Sequence, residues 1–205
     1  MYVNVQQRLI GFKIVYYGPA MGGKTSNVRH IARVAERVSG DLLSLATRGE
    51  RTLYFDMLHL SFGDLGGYKT YFNLYTTPGQ TVYMASRRLV LQGADAIVFV
   101  MDSQQTRLRD NVQSWYSMER QLLELNTSKY KLPIIIQLNK RDMPYIAPAA
   151  QLLGSIHAET LPYIEANAEQ GLGVFATLDW VIKSLIEKAS AEFQANRALD
   201  SAVET

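Results

Sequence analysis

The sequence predicts an α/β fold: a six-stranded, mostly parallel sheet with one antiparallel edge hairpin and helices on both faces. Three observations predict it. Short, nearly continuous apolar runs alternate with longer amphipathic ones, the pattern of buried parallel strands joined by crossover helices. Two strand-like runs, 52–60 and 68–75, are separated only by SFGDLGG, a spacing that suits a hairpin. A glycine-rich segment lies between the first strand and the first amphipathic run, where such folds hold anions.

In order, residues 12–17 (FKIVYY) read as the first strand and residues 24–38 as the helix behind it. The hairpin strands follow, then 96–102, 133–138 and 162–166 complete the six. Further helices are expected at 106–125, 148–156 and 173–194, the last carrying Val174, Leu178, Val181, Leu185 and Ile186 on one face. No internal repeat or Pro/Gly/Ser-rich linker divides the 205 residues, so one domain over 1–195 is expected, with 196–205 as a frayed tail.

The chain is 47% apolar and 20% charged, with 21 Lys+Arg against 19 Asp+Glu. A net charge of +2 without a local basic stripe argues against nucleic acid or an anionic membrane surface as partner. With no cysteine, disulfides, thiolate zinc sites, cysteine nucleophiles and prenyl or palmitoyl anchors are excluded, which fits a reducing cytoplasm. Apolar runs such as 96–101 and 132–136 fall far short of the roughly 20 residues that span a bilayer. Residues 1–10 lack the basic start and apolar core of a signal peptide.

Gly18-Pro19-Ala20-Met21-Gly22-Gly23-Lys24-Thr25 matches GxxxxGK[ST] between a strand and a helix, the context that makes this phosphate-binding motif credible and the fold that of a P-loop NTPase. Glycines let the backbone curl so that successive N–H groups, through Ser26, point inward, and the helix N-terminus adds its partial positive charge. Lys24 would bridge the outer phosphates and Thr25 would give its hydroxyl to Mg2+. Asn139-Lys140-Arg141-Asp142 stands directly after PIIIQL, at the carboxyl end of a strand, where doubly wound sheets bind ligands. A carboxylate there accepts two hydrogen bonds from guanine N1 and its amino group, so Asp142 would select the base over adenine.

These residues resemble those of the Ras-like small GTPases, and more closely the MglA family of bacterial cell-polarity GTPases. The similarity runs from FKIVYYGPAMGGKT through LATRGERTLYFD, FNLYTTPGQTVYMASRRLVLQGADAIVFVMDS and IIIQLNKRDMP to EANAEQGLGVF. It implies six strands with five helices, a GTP/GDP switch with Mg2+, and a Roadblock-fold, MglB-like dimer as activator. By position, Thr52 is similar to the switch I threonine that ligates Mg2+ only with GTP. Gly79 resembles the switch II glycine whose N–H meets the γ-phosphate, and Gln80 the water-orienting glutamine. Asn167 and Ala168 resemble the loop that supports the base through backbone N–H groups. Arg51 resembles the switch I arginine of the MglA family, implying a finger supplied in cis; a solvated loop charge is the competing reading, and Arg48 lies nearby. The resemblance also implies that strand 52–60 slides against its neighbour between nucleotide states.

Two positions depart from the wider Ras-like pattern. Thr76 stands where most small GTPases have the Asp of DxxG, a substitution the MglA family shares, and Ala20 occupies a P-loop position that is commonly Gly. Hence two functions remain open: a slowly hydrolysing GTP switch in polarity or motility, or a catalytically impaired GTP-binding module. An ATPase is disfavoured by NKxD. His30, His59 and His157 lack metal-ligand spacing, Trp115 and Tyr116 read as helix packing, Asp95 as a turn residue, Asp102 as a strand-end cap, and Lys183 and Lys188 as solvated charges.

Overall fold

The computed structural model describes residues 1–39, 57–78 and 84–203. Its elements run β1 (Tyr2–Asn4), β2 (Leu9–Tyr17), α1 (Lys24–Ser39), β3 (Met57–Leu65), β4 (Tyr68–Thr76), α2 (Met84–Leu91), β5 (Ala96–Asp102), α3 (Leu108–Glu124), β6 (Ile134–Asn139), α4 (Ala149–Gly154), β7 (Tyr163–Glu165) and α5 (Val174–Val203). The expected α/β architecture is present, with seven strands among the described residues rather than six. The extra strand, β1, pairs antiparallel with Leu9, Ile10 and Gly11 of β2, below the level at which β5 joins β2 at Ile14. Three residues are too few to show a period, so β1 has no signature of its own.

The sheet order is β3-β4-β2-β5-β6-β7. Every pair from β4 to β7 is parallel; the edge pair β3/β4 is antiparallel. Of the expected strand 52–60, residues 52–56 lie outside the described residues, and β3 continues past Leu60 to Leu65. The turn therefore shrinks to Gly66-Gly67, both at positive φ, +60° and +87°, which suits a two-residue hairpin turn following the strand twist. Register runs from Met57 opposite Tyr75 to Ser61 opposite Tyr71, then shifts by one at a bulge before Asp64 meets Lys69.

Strand periodicity sorts the core into two layers. Ile10, Phe12, Ile14 and Tyr16 of β2, with Val98 and Val100 of β5, face α1 and α5 through Val28, Ile31, Leu178, Val181 and Leu185. Val15, Tyr17, Ile97, Phe99 and Met101 face the opposite side, where Trp115, Met118, Leu122 and Leu152 pack. Trp115 is buried as expected, its ring edge-on to Phe99 at 4.9 Å, but Tyr116 is 46% exposed, because the helical step turns it away from the face Trp115 buries. α5 extends nine residues beyond the expected end, over the segment read as a tail. Chains leaving β2 and β5 pass to opposite faces of the sheet, so a crevice opens at the carboxyl ends of these two strands.

Candidate functional site

β2 delivers the chain into residues 18–23 at that crevice, and steric limits explain two of the glycines. At Gly18, φ is +150° and a Cβ would lie 2.2 Å from Val100 O of β5; at Gly23, φ is +101° and a Cβ would lie 2.0 Å from Asn139 Nδ2. The loop thus passes close against β5 and the end of β6, and only glycine fits. Lys24, 5% exposed, reaches back to donate to Gly18 O at 3.1 Å and Pro19 O at 2.7 Å. Burial, aided by the nearby Arg87 guanidinium, pushes its ammonium down to about 7.

Asn139 brings three sequence-predicted loops together. Its Nδ2 donates to Gly22 O at 2.8 Å, and its Oδ1 accepts from Ala168 N at 2.9 Å. Both ends of this buried side chain are committed to backbone, so its part here is to brace the site. The Ala168 N–H, in the loop expected to support a base, is thus held on Asn139. Asn167 is 5% exposed; its Oδ1 accepts from Gln170 N, while its Nδ2 has no partner among the described residues. Arg141 ties the loop to β7 through Glu165 at 3.2 Å and donates to Ala147 O, ahead of α4, at 2.8 Å. Asp142 is exposed and has no hydrogen-bond or ion-pair partner among the described residues, leaving its carboxylate open to a donor pair. Ser26 Oγ donates to Glu169 Oε2 at 3.4 Å. Thr25 is half-buried at the start of α1.

Several residues to which sequence reasoning gave no part in the site build the support. Asp102, read as a strand-end cap, accepts from Gln104 N at 3.1 Å, but its fully buried carboxylate also takes Lys140 Nζ at 2.7 Å and lies 3.7 Å from Arg107 Nε. Arg107 in turn donates from Nη2 to Ala20 O at 2.7 Å. Beneath Gly23, whose carbonyl accepts from Asn27 Nδ2 at 3.0 Å, the amides of Asn27 and Gln137 pair, and Gln137 continues to Thr177 Oγ1 at 3.0 Å. The only available signal was placement: polar residues in an otherwise apolar strand and at the buried ends of helices. Asp95, read as a turn residue, accepts from Lys13 N at 2.8 Å and pairs with the N-terminal amine.

Thr76 is 3% exposed at the end of β4, and Thr77 is pinned to Tyr16 O through its N–H at 3.0 Å. Arg87 of α2 is 2% exposed, donates to Ser114 Oγ at 3.0 Å and stacks 4.4 Å over the Tyr17 ring. Arg51, Thr52, Gly79 and Gln80, with Arg48, lie outside the described residues.

The arrangement suits phosphate. Among the described residues a nearly buried ammonium meets only carbonyl oxygens, inside a loop two of whose glycines are forced by contact, at the N-terminus of a 16-residue helix. Among the described residues no three His, Cys, Asp or Glu side chains cluster to hold a metal. A Mg2+ here would take most of its oxygens from phosphate and water, with the Thr25 hydroxyl as a protein ligand, a mode common for this ion.

Comparison with known proteins agrees. The sequence pattern of the Ras family matches residues 46–187. The chain is also 42% identical over 186 residues to the mutual gliding-motility protein MglA of Myxococcus xanthus (strain DK1622), covering 90% of this chain and 95% of that one. The chain belongs to the Ras family. It is a Ras-like GTPase of the MglA family, and the fold expected from its sequence is the fold of that family. As a Ras-family protein it binds guanine nucleotide. No helix among the described residues of this MglA-family protein is long and apolar enough to cross a membrane.

Proposed function

We propose that this MglA-family GTPase is a cytoplasmic switch in gliding motility or cell polarity that binds GTP or GDP with Mg2+ and hydrolyses GTP slowly until an activator engages it. The single observation that carries the reading is Asn139, which joins the phosphate loop at Gly22, the base-side loop at Ala168 and its own NKRD segment. One ligand with phosphates at one end and a guanine at the other spans what Asn139 holds together.

In this reading the N–H groups of Met21, Gly22, Gly23, Lys24, Thr25 and Ser26 cradle phosphate, Lys24 neutralises its outer oxygens, and Asp142 accepts from guanine. Mg2+ would be held by Thr25 and Thr52 and would supply neutralisation of phosphate charge. Family resemblance supports Gly79 as a γ-phosphate donor, Gln80 as the residue that orients water and Arg51 as the cis finger. It also supports a Roadblock-fold, MglB-like dimer as activator. An aimed water and a cation at developing charge are what phosphoryl transfer requires.

A catalytically impaired GTP-binding module is the second reading, favoured by Thr76: a buried hydroxyl stands where a carboxylate would strengthen the metal's outer coordination. Single-turnover hydrolysis of radiolabelled GTP, with and without the activator, separates the two. Turnover that rises with activator and falls severely in Gln80→Ala and Arg51→Ala supports the switch; GTP retained intact in every condition assigns the module.

A further inference from the structure

Arg107, in the turn leading into α3, reaches the middle of the phosphate loop. Its Nη2 donates to Ala20 O at 2.7 Å. A peptide unit is planar and trans, so its carbonyl and the following N–H point in opposite directions. Drawing Ala20 O toward α3 therefore turns the Met21 N–H away from α3. Met21 has φ +60°, a left-handed conformation unfavourable for a residue with a side chain. That side chain is 85% exposed, so packing does not hold it. The turn bond from Gly22 N to Pro19 O is long, 3.3 Å, which leaves the bond from Arg107 as the short contact, among the described residues, opposing relaxation of this peptide.

The guanidinium is itself fixed on its other edges. Its Nη1 pairs with Asp110, and its Nε faces the buried Asp102 carboxylate, which also holds Lys140. Three directions are used at once, as a planar fork allows and an ammonium does not. Ala20–Met21 lies at mid-loop, three residues before α1 begins at Lys24. In the nucleotide-binding reading the inner phosphates would meet the helix N-terminus, leaving the mid-loop N–H for the outer one.

We propose that Arg107 is a positioning residue for phosphoryl transfer: by holding Ala20 O, it presets the Met21 N–H to face the outer phosphate, and Asp102 and Asp110 aim its guanidinium. This rests on the nucleotide-binding reading above and names a residue that reading does not use. Misorienting one preset donor slows such chemistry by about tenfold to a hundredfold.

The test measures single-turnover GTP hydrolysis and affinities for GDP and a non-hydrolysable GTP analogue in wild type, Arg107→Gln, Arg107→Lys and Asp110→Asn. Arg107→Gln is expected to lose rate by that factor and to lose preference for the triphosphate while keeping GDP affinity. Arg107→Lys, which retains one donor, should recover part of both, and Asp110→Asn, at a half-exposed position expected to fold normally, should show a smaller loss of the same kind. Unchanged rates in Arg107→Gln and Asp110→Asn, or equal loss of GDP and analogue affinity, would overturn the assignment. Inorganic tripolyphosphate and pyrophosphate, followed by amide NMR shifts, separate this from failure of the guanine reading. A chain without guanine preference still shows an Arg107-dependent preference for tripolyphosphate if the inference holds, and shows none if it does not.

Discussion

Asn27 and Gln137 form a reciprocal amide pair, Asn27 Nδ2 to Gln137 Oε1 at 2.7 Å and Gln137 Nε2 to Asn27 Oδ1 at 2.9 Å, between residues 110 apart in the chain. Both are fully buried. The pair fastens the first turn of α1 to β6, and through Thr177 to α5, so the platform under the phosphate loop is polar and satisfied rather than greasy. Such a network is costly to break on one side only.

Replacing Gln137 with Leu leaves Asn27 Oδ1 without its donor in a buried site, while Asn27 Nδ2 keeps Gly23 O and Thr177 Oγ1 keeps Gly173 O. The orphaned acceptor costs about 1–3 kcal/mol, so stability should fall by that much. Urea unfolding checks this, and a midpoint equal to wild type with an unchanged slope would mean water or a shifted rotamer replaces the bond.

Gly23→Ala places a methyl 2.0 Å from Asn139 Nδ2 at φ +101°. Asn139 must then move, releasing both Gly22 and Ala168. Guanine nucleotide affinity should fall by more than about tenfold, which is 1.4 kcal/mol, while Gly22→Ala, whose added carbon would sit 3.3 Å from Pro19 O without a positive φ, should cost less. Fluorescent-nucleotide titration of the two variants gives the order directly.

Asp142→Asn tests base selection. An amide presents a donor where the carboxylate accepts, so GTP binding should weaken by about 1–3 kcal/mol and xanthine nucleotide should gain. Native protein that binds ATP as tightly as GTP would remove Asp142 from the base site.

Lys24 makes nucleotide binding depend on pH. Without nucleotide its ammonium is lowered to about 7, chiefly by burial and then by Arg87; phosphate beside it favours the charged form and raises it again. From pH 7 up to the ordinary lysine range, binding must therefore take up a proton, and affinity falls as pH rises. The unliganded fold shows the opposite sign. In that window its unfolded chain binds the extra proton, so the stability contributed by this group rises with pH. Calorimetry at pH 8.5 in two buffers of different ionisation enthalpy should report the proton; identical heats would show Lys24 already charged.

Much was legible in the residues alone because its causes are local. Alternation between apolar runs and amphipathic stretches announces strands and helices wherever they occur, and a phosphate loop needs glycines, a lysine and a helix start within eight residues, all visible in GPAMGGKT. NKRD is legible for the same reason: its position after PIIIQL follows from one strand's end. Other features depend on which strand lies beside which. Asn139 reaches Gly22 across 117 residues of chain, and Arg107 reaches Ala20 across 87, because the order β2-β5-β6 aligns three carboxyl ends. Asp102 reads as a cap in one dimension and becomes the partner of Lys140 and neighbour of Arg107 only once β6 pairs with β5 in the register that sets Asp102 opposite Asn139. The sequence determined the chemistry each loop carries, since that chemistry lies in adjacent residues; the tertiary structure decided which polar groups support those loops, since a hydrogen bond forms only where packing brings donor and acceptor within about 3 Å.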